Sequence, residues 1–314
     1  MIASPWRIVF FGTPSFAIPS LEKLFQGPDE VVAVVTQPDR VKGRGQKVFH
    51  SPVKEIALRQ GMVPLQPEKV KEEAFQENLK ELRLDLFAVV AFGQILPRSL
   101  LKIPRYGAVN VHASLLPKYR GAAPIAWAIL KGEKVTGVTT MMMDEGVDTG
   151  GILLQAEISI EEKETSETLH EKLSTLGAQL LIETIEKMKR GNVHPLYQDH
   201  SKATYAPPIK KEEGRIDWGK EAEEIDRQIR AFYPWPGAFT QWGDRLLKIC
   251  QGEVRKGRHQ GRPGSVVWVG TDFIEVEAGK DFFLIKEVQP EGKRRMTVRD
   301  FLSGHSISLG TVFH

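Results

Sequence analysis

The sequence predicts an α/β fold built on a doubly wound, mostly parallel sheet, followed by a small β-barrel. Three observations lead there. Strand and helix signals alternate through the first two-thirds of the chain. The character changes at "YAPPIKKEEGRIDW", Tyr205–Trp218, where a double proline reads as an extended linker. Short strand-like runs then succeed one another for about 100 residues, the pattern of a small barrel.

The elements follow in order. Arg7–Gly12 is an apolar run closed by glycine, and "FAIPSLEKLFQG" continues it with helical spacing to Gly27. Glu30–Gln37 is β-branched and reads as a strand. Ser51-Pro52 offers an N-cap and a first-turn proline, and Gly61 ends that helix. Leu86–Gly93 is apolar throughout, as suits a strand covered on both faces. Gly107–Ser114 and Thr136–Asp144 are two more strand candidates. Thr168–Arg190 is a long helical pattern closed by Gly191. A sheet of this kind binds its ligands at the carboxyl ends of its strands. Past the linker, a helix over about Lys220–Phe232 is followed by "YPWPG". "AFTQW" and "RLLKIC" are joined by Gly243-Asp244, a two-residue hairpin signal, and three further short strands follow. An oligonucleotide-binding-type barrel is one form these strands can take.

Bulk properties narrow the function classes. At 314 residues the chain has room for two cores. With 41% hydrophobic and 26% charged residues it reads as an ordinary soluble globular protein. Its longest apolar run, Leu86–Phe92, is too short to cross a membrane, and the first residues carry no export signal, so cytoplasm and no membrane are expected. One cysteine, Cys250, excludes an internal disulfide framework and suits a reducing compartment. A net charge of +3 favours a nucleic-acid partner only weakly.

The chemistry concentrates in "NVHASLLPKYRGAAPI", Asn110–Ile125. On a strand, residues i and i+2 face the same side, so Asn110 and His112 project together. An amide can donate to a developing oxyanion and an imidazole can move a proton near neutral pH. That pairing suits attack on a carbonyl without a covalent enzyme intermediate. The absent third member is a carboxylate to orient the imidazole. "MMMDEGVDTGG" supplies two candidates, Asp144 and Asp148, in a glycine-rich loop after the next strand. A zinc site lacks a second ligand at suitable spacing, Ser114 lacks a nucleophile elbow, and "FGTPSF" is neither a dinucleotide nor a Walker loop. Met141–Met143 read as strand core.

Asn110–Ile125, with "TGVTTMMMDEGVDTGGIL" after it, closely resembles the signature of enzymes that use 10-formyltetrahydrofolate. "FFGTPSFAIPSLEKL", "TQPDRVKGRGQK", "SPVK", "AFGQILP", "IDW" and "IRAFYPWPGA" extend the resemblance, in order, to the methionyl-tRNA formyltransferase family. The resemblance implies a Rossmann-like, folate-binding formyltransferase domain over residues 1–204. It implies a tRNA-binding, OB-like barrel over 205–314, with the linker at about 204–212. It implies Asn110, His112 and Asp148 as the catalytic set. Phe92, Gln94, Ile95, Leu96, Ser114, Leu115, Leu116 and Pro117 would line the folate. Phe92 departs from a common tyrosine, at the cost of one hydroxyl. The implied reaction moves the formyl group of 10-formyltetrahydrofolate, a co-substrate, to methionine on initiator methionyl-tRNA. No metal is implied, and a monomer is expected.

Basic residues cluster in three places. Arg40, Lys42, Arg44 and Lys47 lie in a Gly-containing stretch read as a loop that orders on a phosphate backbone, and the resemblance puts this loop at the tRNA acceptor end. Arg245, Lys248, Arg255, Lys256, Arg258 and Arg262 form a second cluster, and Lys293, Arg294, Arg295 and Arg299 a third. Charge alone favours a solvated surface for the first stretch and is compatible with one for the other two clusters. "FYPWPG" reads as core aromatics, with base stacking as the alternative. Two rivals stand beside the tRNA reading: a 10-formyltetrahydrofolate-dependent enzyme acting on an amino sugar nucleotide or another small acceptor, and a non-catalytic RNA-binding protein.

Overall fold

The computed structural model describes residues 4–42, 47–258 and 261–314. The chain divides into two units. The first holds residues up to Pro124 with 135–159 and 170–206; the second holds 125–134, 160–169 and 207–314.

The first unit carries β1 (Arg7–Gly12), α1 (Ile18–Gln26), β2 (Glu30–Val35), β3 (Arg40–Lys42), β4 (Lys47–Phe49), α2 (Pro52–Arg59), α3 (Glu73–Lys80), β5 (Leu86–Val90), α4 (Arg98–Leu101) and β6 (Ala108–His112). After α5 (Pro124–Leu130), which apart from Pro124 belongs to the second unit, come β7 (Val135–Met142), β8 (Ile152–Ser159) and α6 (Ser166–Lys189). α2 begins as its sequence dictates: Ser51 Oγ accepts from Lys54 N at 3.0 Å, with proline in the first turn.

Six strands form one sheet in the order β2-β1-β5-β6-β7-β8. The pairs β2–β1, β1–β5 and β5–β6 are parallel, as the alternation of strand and helix demands. The sheet is mostly parallel; the departure is β7, which runs antiparallel to both β6 and β8. An apolar strand reads the same in either direction, so the sequence did not carry this reversal. β8, not singled out in the sequence, is an edge strand with alternating exposure. β3 and β4 pair antiparallel within the segment read as a loop.

β5 is buried along its whole length. Its Phe87 meets Phe11 of β1 edge-on at 4.9 Å, and Phe92 meets Phe11 at 5.2 Å. Val9, Val35, Val89 and Leu96 complete this side of the core. On α6, a Cβ at Gly177 would lie 2.8 Å from Val111 of β6, so only glycine lets the helix approach the sheet this closely.

The second unit contains α7 (Ala222–Ala231), β9 (Ala238–Trp242), β10 (Arg245–Arg255), β11 (Val266–Val269), β12 (Ile274–Glu277), β13 (Phe282–Pro290), β14 (Met296–Thr297) and α8 (Val298–Gly304). The strands are antiparallel in the order β11-β12-β13-β10-β9, with β14 on β13. The hairpin at Gly243-Asp244 forms, with Trp242 opposite Arg245. The last residues bind both sheet edges. His314 and Gln241 of β9 exchange backbone hydrogen bonds, while Val266 N of β11 donates to Thr311 O. This strip joins the two edges of the sheet, the closure a small barrel needs. Leu247, Ile249, Ile274, Val276, Phe283 and Ile285 fill the interior, with Ile225 and Ile229 of α7 and Phe301 of α8 packed on them.

Candidate active site

Register brings the first-unit strands out together. Gly12 of β1 pairs with Val90 of β5, and Val89 pairs with Asn110 of β6. The carboxyl ends of β1, β5 and β6 are therefore neighbours, the position at which an α/β sheet offers a site. The turn after β5 holds Ala91 at φ +48° and Gly93 at φ +90°. Phe92 and Leu96 are buried, whereas Ile95 is exposed. The Phe92 carbonyl accepts from Thr13 Oγ1 (2.9 Å) and Gln37 Nε2 (3.3 Å), which ties this turn to the ends of β1 and β2. Gln94 Oε1 accepts from Val70 N at 3.0 Å.

His112 is 6% exposed. Its Nε2 lies 2.9 Å from the Tyr119 carbonyl. A carbonyl only accepts, so Nε2 carries the proton and Nδ1 faces the opposite way. Nδ1 lies 3.5 Å from Asp148 Oδ2. Because β7 is antiparallel, the loop after it must turn back over β6 to bring Asp148 there. Asp148 sits at φ +53°, and its Oδ2 accepts from Gly121 N at 2.8 Å. Gly121 is at φ +119°, where a Cβ would come 2.7 Å from the Ala206 carbonyl. Of the two aspartates, then, Asp148 meets the imidazole. Asp144 instead holds the loop, accepting from Gly146 N (3.0 Å) and Thr149 Oγ1 (2.6 Å). Asn110 is half-buried, and among the described residues its amide makes no hydrogen bond to protein. No group of three or more metal-ligating side chains occurs among the described residues.

Residues 6–185 match the formyl transferase family, and residues 208–306 match the formyl transferase C-terminal domain. The chain is 52% identical to the methionyl-tRNA formyltransferase of Caldanaerobacter subterraneus subsp. tengcongensis, covering 98% of this chain and 99% of that one. The chain belongs to the methionyl-tRNA formyltransferase family. The family's protein from Citrifermentans bemidjiense is 49% identical over 97% of this chain and 95% of its own length. Among solved structures, an N-formyltransferase from Helicobacter canadensis, complexed with folinic acid and dTDP-3-aminofucose, aligns at TM-score 0.68 and 21% identity. That alignment covers 91% of this chain and 99% of the other. HypX from Aquifex aeolicus, complexed with tetrahydrofolic acid, aligns at TM-score 0.64 and 17% identity over 98% of this chain, which spans about half (51%) of HypX. At these identities the structures establish the shared fold.

Part of the Ser114–Pro117 segment is held by internal hydrogen bonds. Ser114 is fully buried and its Oγ donates to Lys118 O at 2.6 Å. Thr139 Oγ1 donates to Ser114 O (2.6 Å) and accepts from Leu116 N (3.1 Å), and Gln155 Nε2 donates to Leu116 O (2.9 Å). Ser114 and Leu116 thus turn inward, while Leu115 and Pro117 are half-buried. Sequence reasoning missed Thr139 and Gln155 because each is an ordinary polar residue on a strand until β7 and β8 pair beside the loop.

The basic candidates separate by what they touch. Arg40 is exposed; Arg44 falls outside the described residues, as do the side chains of Lys42 and Lys47. At the base of that segment Asp39 accepts from Lys54 Nζ (2.6 Å) and Gln66 Nε2 (3.0 Å). These two bonds, Lys54's first, lower the Asp39 carboxyl to about 2. In the second unit Arg255 pairs with Glu275, and Lys256 with Glu223 and Asp281. Lys248 Nζ donates to Pro236 O at 3.0 Å, and Arg245 lies 6.0 Å from the Trp242 ring centre. In "FYPWPG", Phe232 is buried but Trp235 is 62% exposed, so the motif is only partly core.

Proposed function

We propose that this chain transfers the formyl group of 10-formyltetrahydrofolate to the α-amino group of methionine on initiator methionyl-tRNA, for translation initiation. One observation carries the reading: about half of all residues are shared, over essentially the whole length of both chains, with enzymes named for that reaction. The first unit would bind folate and the second, with the Arg40–Lys47 segment, the tRNA. The protein would act as a cytoplasmic monomer. No helix among the described residues is long and apolar enough to cross a membrane.

The turn after β5 suits a pteridine. Ala91 and Gly93 are left-handed and exposed while Phe92 and Leu96 anchor the turn inside, so exposed peptide groups are available to read the ring's edge. In the proposed mechanism the methionine nitrogen attacks the formyl carbon, and the carbonyl oxygen becomes an oxyanion. Asn110, uncommitted and half-buried, donates to that oxyanion. His112, fixed by Tyr119 O, receives a proton from the attacking amine at Nδ1, and Asp148 stabilises the resulting charge. The carbon–nitrogen bond to folate then breaks, and His112 passes the proton it took from the amine to the departing folate nitrogen. Orienting two bound substrates supplies much of the rate.

The test mixes protein and 10-formyltetrahydrofolate with initiator methionyl-tRNA or with an amino sugar nucleotide. Formyl transfer to the tRNA alone is expected. Transfer to the sugar alone would keep the proposed catalytic set and refute the acceptor. Transfer to neither acceptor would refute the enzymatic reading.

A further inference from the structure

Arg120 is the arginine of "LPKYRG", and it is 2% exposed. A guanidinium buried this deeply needs its donors satisfied. Its Nε (3.1 Å) and Nη2 (2.6 Å) both donate to Gln198 Oε1, and its Nη1 donates to His200 Nδ1 at 3.1 Å. Gln198 is itself 6% exposed and lies between the two segments matched to the family. Its other end, Nε2, donates to two backbone carbonyls of the aspartate loop: Asp148 O at 2.9 Å and Gly150 O at 2.7 Å.

The chemistry selects glutamine. One end must accept from a guanidinium that has only hydrogens to offer. The other must donate to two carbonyls that can only accept. Glutamate fails at the second end and lysine at the first. The circuit then closes on itself: Gly121, the residue after Arg120, donates its N–H to the Asp148 carboxylate at 2.8 Å. Asp148 is thus held by its own backbone through Gln198 and by its side chain through Gly121. It is held in a left-handed conformation, φ +53°, that costs a non-glycine residue energy and persists only where its surroundings impose it.

We infer that Gln198, braced by Arg120, is a positioning residue that fixes Asp148 against His112. This rests on the proposed role of Asp148 in formyl transfer. Gln198 touches neither substrate in this reading and acts only through the loop.

The test compares wild type with Gln198→Glu, which keeps an acceptor for Arg120 and loses both donors to the loop. Two quantities are read: hydrogen exchange of the amides in residues 144–151, and steady-state formyl transfer. Exchange is expected to rise about tenfold as the local opening becomes easier. kcat is expected to fall about ten- to a hundredfold, the scale of a small misplacement in a site, with KM for both substrates within about twofold. In an Asp148→Ala background the same change should cost almost nothing more, because it acts through the missing group. Unchanged exchange overturns the strut. Raised exchange with unchanged kcat, or losses that multiply with Asp148→Ala, overturns the positioning role. If wild type transfers no formyl group, the functional reading fails and the exchange measurement still judges the strut. Should Gln198→Glu not fold, Gln198→Asn, which carries the same groups on a shorter arm, is put through the same comparison.

Discussion

Replacing Asp148 by Asn removes a negative charge and almost nothing else. The substituted side chain can still accept from Gly121 N, whose bond to Oδ2 is 2.8 Å long, so the loop keeps its anchor. The loss falls on the His112 interaction, where the carboxylate oxygen stands 3.5 Å from Nδ1. A full positive charge on the ring at that distance would gain about 4–5 kcal/mol at an effective dielectric near 20. Asp148 is 14% exposed, so solvent takes part of this, and the Asn carbonyl dipole restores some. A net loss of about 3 kcal/mol remains, or about a hundredfold in rate. In the proposed mechanism the charge develops as the proton moves, so the loss belongs to the transition state and should appear in kcat. Rapid-quench formyl transfer under saturating folate and methionyl-tRNA measures it. A fall of less than about threefold in a folded Asp148→Asn protein would refute the electrostatic role.

Three further outcomes follow from the structure. Gly150→Ala places a Cβ 1.7 Å from the Met142 carbonyl, which a loop can relieve only by moving; we expect at least about a tenfold loss of kcat, and a rate equal to wild type would show that the loop tolerates displacement. Phe283→Ala empties a fully buried position in the second unit's core and should cost about 3–5 kcal/mol of that unit's stability in denaturant titrations; a cost under about 1 kcal/mol would mean the core is misjudged. Asp39 has its carboxyl lowered from 3.8 to about 2, so it contributes stability that is complete above about pH 4 and lost as pH falls through 2. With Asp39 22% exposed, Asp39→Asn should be about 1–2 kcal/mol less stable than wild type at neutral pH, and the gap should close toward pH 2. A gap independent of pH would assign the effect to packing.

The sequence by itself determined most of the local elements and which side chains share a strand face at the candidate site. β5 was legible because a strand buried on both faces must be apolar throughout. α2 was legible because Ser51 and Pro52 are the residues a helix start requires. The pairing of Asn110 with His112 followed from the two-residue period of a strand, which holds wherever the strand lies. Tertiary structure decided what depends on segments distant along the chain. The direction of β7 is one case, since apolar patterning has no polarity. The choice between Asp144 and Asp148 is another: they lie four positions apart, and only the path of the loop brings one to the imidazole. Gln198 is the clearest case. Nothing near it in sequence marks it, because its partners lie 48, 50 and 78 residues away, and a glutamine acquires its meaning only from the donors and acceptors that folding gathers around it.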